Sequence, residues 1–368
     1  MGLKIAPSFR IEANSEDVTA AIADRFVSLR ITDQSGIESD ELTLTLADHD
    51  PQNPIAFPAT GAELEVWLGY DDKVDRMGLY VVDEVELRWP PNQIRVKAKA
   101  APQAISKSDD SDDSPAAGTG AGSKRPQLQG QKTRSWESGT TIRDMVATIA
   151  QEHGLDPAVG DGVSAIELPQ VDQIDESDMQ VLTRIAMQYD TIAKPGGGKL
   201  LFVARAASRA VAAAGGAGSN SDASGMTENA PELPTVAITP EMVTSGRMTL
   251  SERKSPGKVI ARWRDVVEAI TREITAGTGD PIQRLSQIFP DAESATAAAR
   301  SVLSRGERSG QSLKLTLPGM TMLMAEGRIS LSGFRTGADG EWLLTKVEHT
   351  LDEAGYKCSV QAEAPKSD

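Results

Sequence analysis

Apolar and polar positions alternate through residues 78–100, GLYVVDEVELRWPPNQIRVKAKA, in the manner of two strands joined by a tight turn. Tyr80 and Val82, then Val85 and Leu87 after a change of face, carry the first strand. Pro90-Pro91-Asn92 breaks it, and Ile94, Val96 and Ala98 alternate with Arg95, Lys97 and Lys99 on the second. One face is dry and one wet, and a lone hairpin cannot bury the dry one, so a larger antiparallel sheet or barrel is required. The pattern returns without a gap in residues 340–362, GEWLLTKVEHTLDEAGYKCSVQA: Trp342 falls on Tyr80, Leu344 on Val82, Val347-Glu348 on Val85-Glu86, and Tyr356, Cys358 and Val360 on Ile94, Val96 and Ala98. A Gly-ended strand precedes each copy, LEVWLG at 64–69 and ISLSG at 329–333. Two related β-modules are therefore expected.

Between the copies the period changes. Residues 26–46 read as strand, turn, strand, and 63–70 as another strand, so that 1–105 make a first β-barrel unit. Residues 106–131, acidic and rich in Gly and Ser, carry no periodicity and read as a solvated loop. A helix capped by Ser138–Thr140 is predicted to run to His153, where Gly154 ends it, and a second opens at Asp175-Glu176-Ser177-Asp178. With a short extended piece at 166–171 and a strand at 200–204, residues 132–205 make a small α/β domain. A second Ala/Gly/Ser-rich loop covers 206–234. A second barrel is expected over 235–368, with an inserted helix at 291–305 that has an Asp cap, an alanine-rich interior and a basic last turn. The fold class is thus mixed and mainly β (α+β).

Composition narrows the function. The chain has 368 residues, 39% of them hydrophobic, with 32 Gly and 20 Pro, as suits several turn-rich modules rather than one large core. Cys358 is the single cysteine, which excludes an internal disulfide framework and a cysteine-ligated zinc site. No apolar run is long enough to cross a bilayer, and residues 1–20 show no secretory signal pattern. A net charge of −15 argues against phosphate-neutralising DNA binding.

Candidate chemistry is sparse. His49, His153 and His349 lie in different modules, and a metal site needs convergent ligands. Glu176 and Asp178 could be imagined as a glycosidase pair, but a helix start suits acidic residues better. GTGAGSK at 118–124 and PGGGK at 195–199 miss the phosphate-loop pattern and read as turns or linkers. Cys358 on an alternating strand reads as a small buried hydrophobe. Residues 135–158 have the rhythm of a cell-wall-binding LysM helix, but support of an oligomer or contacts to neighbouring proteins suit the segment better. No catalytic, cofactor or metal residue is assigned.

Over some 340 residues the chain resembles the late control D proteins, baseplate hubs of contractile-tailed phages. The resemblance is carried in order by SLRITDQSGIESDELTLTL (28–46), MGLYVVDEVEL (77–87), RSWESGTTIRDMVATIAQEHGL (134–155), QIDESDMQVLTRIA (173–186), ESATAAA (293–299), SLSGFRTGADGEWLLTKVEHTL (330–351) and GYKCSVQAEAP (355–365). It implies a non-enzymatic homotrimer with two barrels per subunit. The resulting pseudo-sixfold ring joins a hexameric tail tube, or its initiator ring, to a trimeric spike. Other baseplate proteins are expected as neighbours, and the tape-measure protein and DNA as passing occupants of the lumen. The implied location is the virion tail baseplate, after assembly in the host cytoplasm and without stable membrane association. The alternatives are a tail-associated cell-wall hydrolase, or the hub of a phage-derived bacteriocin or secretion system. Because repeated modules should present repeated surfaces, interface residues are sought on the two hairpins: Tyr80, Val82, Glu84 and Trp89 on the first, and Trp342, Leu344, Lys346 and His349 on the second.

Overall fold

The computed structural model describes residues 6–35, 40–50, 52–101, 128, 130–196, 198–205, 235–251 and 255–364. The loop at 206–234 lies outside them, as does all of 106–131 except its last residues and residue 128. In chain order the elements are β1 (Pro7–Ala13), β2 (Glu16–Asp17), α1 (Thr19–Ile22), β3 (Phe26–Gln34), β4 (Glu41–Ala47), β5 (Glu63–Tyr70), β6 (Lys73–Arg88), β7 (Gln93–Ala100), β8 (Gln131–Trp136), α2 (Ile142–Glu152) and β9 (Asp156–Val159). There follow α3 (Asp161–Ser164), β10 (Val171–Ser177), α4 (Asp178–Tyr189), β11 (Thr191–Gly196), β12 (Lys199–Ala204), β13 (Val236–Ile238), β14 (Ser245–Leu250), β15 (Lys258–Asp265), β16 (Ile270–Gly277) and β17 (Ile282–Phe289). The last are α5 (Ala292–Ser309), β18 (Gln311–Pro318), β19 (Arg328–Leu331), β20 (Gly340–Asp352) and β21 (Gly355–Glu363).

Two compact units divide the chain, and neither is contiguous in sequence. The first comprises Met1–Ala117, Arg209–Arg247 and Lys314–Ala362, and the second Gly118–Ser208, Met248–Leu313 and Glu363–Asp368. The first unit is built on a 13-stranded sheet whose neighbours run β14-β18-β21-β20-β3-β4-β7-β6-β5-β1-β2, with β19 also on β20 and β13 on β19. The predicted alternation is what buries it. Leu29 and Ile31 of β3, Leu42, Leu44 and Leu46 of β4, and Ile94, Val96 and Ala98 of β7 are all buried, while Lys97 and Lys99 face outward to Glu84 and Asp83, each 3.0 Å away. Opposite charges on the wet face and β-branched pairs such as Val85 opposite Val96 on the dry one stabilise the ladder by tenths of a kcal/mol each, roughly 0.2–1.

The sheet bears on the two expected barrels. Among the described residues the path of pairings does not return on itself, and strands expected in separate barrels are neighbours, because β20 pairs antiparallel with β3 from Lys346↔Gln34 to Asp352↔Ser28. At 13 residues β20 is long enough to carry β19 on its first part and β3 on its last. Periodicity specifies which face of a strand is buried and says nothing about which strand lies beside it.

The repeat itself is present at the level of backbone hydrogen bonds. Val82 donates to Ala62 O (2.9 Å) and accepts from Gly61 N–H (2.8 Å), while Leu344 donates to Gly327 O (2.9 Å) and accepts from Glu326 N–H (2.8 Å). Strand order agrees as well: β5-β6-β7-β4-β3 in one copy and β19-β20-β21-β18-β14 in the other. Where β18 ends, Gly319 N–H donates to Tyr356 O at 2.9 Å, and a Cβ on Gly319 would overlap the Tyr356 ring. Gly319→Ala is therefore expected to cost about 2 kcal/mol by overpacking, read as a lower denaturant midpoint at unchanged slope.

In the second unit β8 and β10 form an antiparallel pair, and β11, β12 and β9 a three-stranded sheet. Helix α2 buries Ile142, Met145, Val146, Ile149 and Ala150, the helical stripe seen in the sequence; its cap is Thr141, whose hydroxyl accepts from Asp144 N–H, one residue after the expected Ser138–Thr140. Helix α4 starts with a capping box in which Ser177 and Gln180 bond each other's backbone N–H. Helix α5 covers the sheet β16-β15-β17 with small residues: Ala295, Ala298 and Ala299 pack on Val259, Ala261, Ala276 and Phe289. Strand β17 leaves no alternation in the sequence, because Ile282, Leu285 and Ile288 recur every third residue and all but Phe289 of the strand is at least partly exposed.

Candidate assembly interface

Five of the eight residues sought on the hairpins point into the chain's own core: Tyr80, Val82, Trp342, Leu344 and His349 are each at most 3% exposed. Lys346 is half-buried. Glu84 and Trp89 face outward, Glu84 holding Lys97 and Trp89 73% exposed beside Pro90-Pro91. Leu87, expected to be inward, is 43% exposed, and with Trp89 it lines a shallow depression completed by Arg88, Pro90, Pro91 and Gln93. Alternation correctly separates the two faces near the middle of the hairpin and fails at its tip, where β6 outruns β5: their pairing stops at Glu63↔Val81. The Trp-Pro-Pro tip was the sequence signal available there.

Two side-chain clusters could have carried chemistry instead. His349, Tyr356 and Cys358 come together because β20 and β21 are neighbours with these residues on one face. His349 Nε2 lies 3.0 Å from Leu323 O and must donate to it, so Nδ1 accepts from the Tyr356 hydroxyl at 2.8 Å, with Cys358 Sγ 3.2 Å away. Burial lowers the imidazole's pKa and pushes the thiol up to about 11, which keeps both neutral. A nucleophilic cysteine needs the opposite, an exposed and stabilised thiolate. The cluster satisfies buried polar atoms; the sequence, which placed no histidine beside Cys358, missed it.

Glu152, His153 and Asp178 form the second cluster, with one possible ligand atom from each within 4.8 Å of the others. Its carboxylates are already occupied. Asp178, fully buried at the start of α4, accepts from Lys132 Nζ (2.7 Å), Arg134 Nη2 (2.5 Å), Gln173 Nε2 (3.0 Å) and His153 Nε2 (2.8 Å); Glu152 accepts from Lys132 and Arg134. Burial alone would raise the Asp178 pKa, but the bonds from His153, Lys132 and Gln173 and the charge of Arg134 outweigh it and hold it at about 2. A metal ion would have to displace two cations. Glu176, the other half of the imagined acid pair, holds Arg184 at 2.8 Å. His49 is exposed, away from both clusters in sequence.

The fold is that of phage tail proteins. It matches the 43 kDa tail protein of prophage MuSo2 from Shewanella oneidensis with a TM-score of 0.64 at 13% identity, covering 97% of this chain and 98% of the other. It also matches a type VI secretion system component of E. coli, described as structurally similar to phage T4 tail proteins gp27 and gp5, with a TM-score of 0.52 at 12% identity over 94% of this chain and 74% of that one. In sequence, the probable baseplate hub protein of Escherichia phage 186 is 27% identical over 411 aligned positions, covering 100% of this chain and 95% of the relative. The family model for the phage tail baseplate hub (GPD) matches residues 127–355. The chain belongs to that family, and its role is that of a baseplate hub in a phage tail.

Proposed function

We propose that this hub acts as a non-enzymatic symmetry adaptor: three copies form a ring in which each contributes two β-modules, so that six similar modules meet the hexameric tail tube above and three chains meet a trimeric spike below. The observation that carries the reading is the doubled strand order, β5-β6-β7-β4-β3 and β19-β20-β21-β18-β14, within one sheet. A closed assembly of repeated surfaces is the usual outcome for homo-oligomers, and closure removes the exposed strand edges that would otherwise aggregate. The two barrels expected from the sequence belong to this assembled state, in which strands of neighbouring chains complete one another's sheets. The lumen so enclosed would pass the tape-measure protein and DNA, and an acidic chain of net charge −15 suits a channel from which phosphates are repelled. The location is the virion baseplate, reached by assembly in the host cytoplasm.

Native mass spectrometry of the purified chain tests this. A trimer is expected at micromolar concentration, together with binding to tube or spike protein. A monomer that binds neither, or clearing of bacterial cell wall in a zymogram, contradicts the proposal.

A further inference from the structure

The two modules agree in strand order but differ at one edge. In the second module the edge of β20 is filled along its length. Gly340–Leu343 pair with β19, Leu344 bonds Gly327 and Glu326, and Lys346–Asp352 pair with β3 of the first module, where Ser35 N–H also donates to Thr345 O at 2.8 Å. In the first module the corresponding edge of β6 is filled only halfway. Lys73–Val81 pair with β5 and Val82 bonds Ala62 and Gly61, but beyond that point no strand lies on this edge among the described residues. Glu84–Arg88 of β6 thus hold the place that Lys346–Thr350 hold in β20, without the neighbour that β3 supplies there.

The strand that would fill it can be named from the repeat. In the order β14-β18-β21-β20, β14 stands where β3 stands in β3-β4-β7-β6. It is the terminal strand of its sheet, with β18 on one side, and Thr244–Arg247 are exposed. Within one chain these edges are not paired with each other. We propose that Glu84–Arg88 of one copy pair antiparallel with Thr244–Met248 of the next copy, repeating between chains the junction that β20 and β3 make within a chain. Three such contacts alternate with three internal ones, so that all six junctions of the ring are of one kind. This rests on the trimer reading above and assigns its contact.

The register follows by carrying the internal junction across. Thr350 pairs with Arg30 on β3; Arg30 pairs with Thr43 on β4, which sits where Thr316 does on β18, and Thr244 N–H donates to Thr316 O at 2.8 Å. Arg88, the counterpart of Thr350, therefore falls opposite Thr244, and Leu87 opposite Ser245. The contact is head-to-tail, the kind that generates rings. It brings Arg247 to an edge bearing Glu84 and Glu86, and it covers the apolar side chain of Leu87. Both partners are strand edges without a neighbouring strand among the described residues, which is the condition for strand addition.

Paired cysteines read the contact directly, because opposed Cα atoms in an antiparallel ladder stand within disulfide reach, roughly 4.5–5.5 Å apart. The double variants Leu87→Cys/Ser245→Cys and Arg88→Cys/Thr244→Cys replace exposed residues in the full-length chain and are expected to keep the wild-type circular dichroism and melting curve. With oxidised glutathione, at least one of them should convert the majority of chains to a covalent trimer on a denaturing gel. Dithiothreitol should reverse it, and the single variants should stop at dimer or monomer. A trimer by native mass spectrometry with no cross-link in either double variant overturns the strand assignment and leaves the trimer standing. A monomer in both measurements overturns the assignment and the trimer together.

Discussion

Replacing Arg308 with methionine should destabilise the second unit by about 4 kcal/mol, the largest effect expected of any single change here, measured as a loss of unfolding free energy in urea. Arg308 sits near the end of α5 and is 5% exposed. Its guanidinium grips Asp190 with both branches, at 2.8 and 2.5 Å, and its Nε lies 3.2 Å from Glu363 Oε1. Burial alone would lower its pKa, but the hydrogen bonds and charge of Asp190 overcome this and raise it. Methionine fills similar volume, so the loss comes from charge: Asp190 keeps Arg205 at 3.8 Å, while Glu363, whose pKa burial already raises, loses the stronger of the two cations acting on it and keeps the repulsion of Asp190. A second substitution, Glu363→Gln, should recover part of the loss by removing the stranded charge. No recovery would mean that the arginine acts through packing of its stem.

Asp178→Asn should cost about 3 kcal/mol at neutral pH, because Lys132, Arg134 and His153 lose the carboxylate that they converge on. Its pH dependence is the sharper test. The folded-state pKa is depressed to about 2, below the ordinary carboxylate value, so the stabilisation is complete above the unfolded value and is lost as pH falls through the folded one. The wild type should shed about 2 kcal/mol between about pH 4 and pH 2 from this group, a contribution absent from the asparagine variant, and the gap between the two proteins should narrow over that window. A constant gap would place the cost in lost shape rather than in charge.

The strands of the first unit could be read from the chain because each is half wet, and half-wet strands announce themselves by alternation: Leu42, Leu44 and Leu46 are buried as their spacing requires. The helices were legible for the same reason at a different period, and α5 differs mainly in running on to Ser309. What could not be read was adjacency. The pairing of β3 with β20 joins residues separated by most of the chain, and no local pattern encodes it. The same gap explains the interface residues. Positions that are alike in both copies are largely the core, as Tyr80 and Trp342 show. The contact proposed between strand edges would use backbone groups, which every sequence supplies equally, so only a comparison of the two modules, one with an unfilled side, points to it.

The Asp178 cluster was half legible. A helix start rich in acid is a visible signal, and Ser177-Asp178 does open α4. That Lys132, Arg134 and His153 would meet it depended on the β8–β10 pairing and on where α2 ends, both tertiary facts.

A cryo-electron microscopy reconstruction of the assembled baseplate tests the central claim most directly. The account predicts three copies of this chain around one axis, with the modules built on β6 and on β20 alternating, six in all, around a common lumen beneath the tube. Three copies whose first and second modules lie at different radii, or any number of copies other than three, would contradict it.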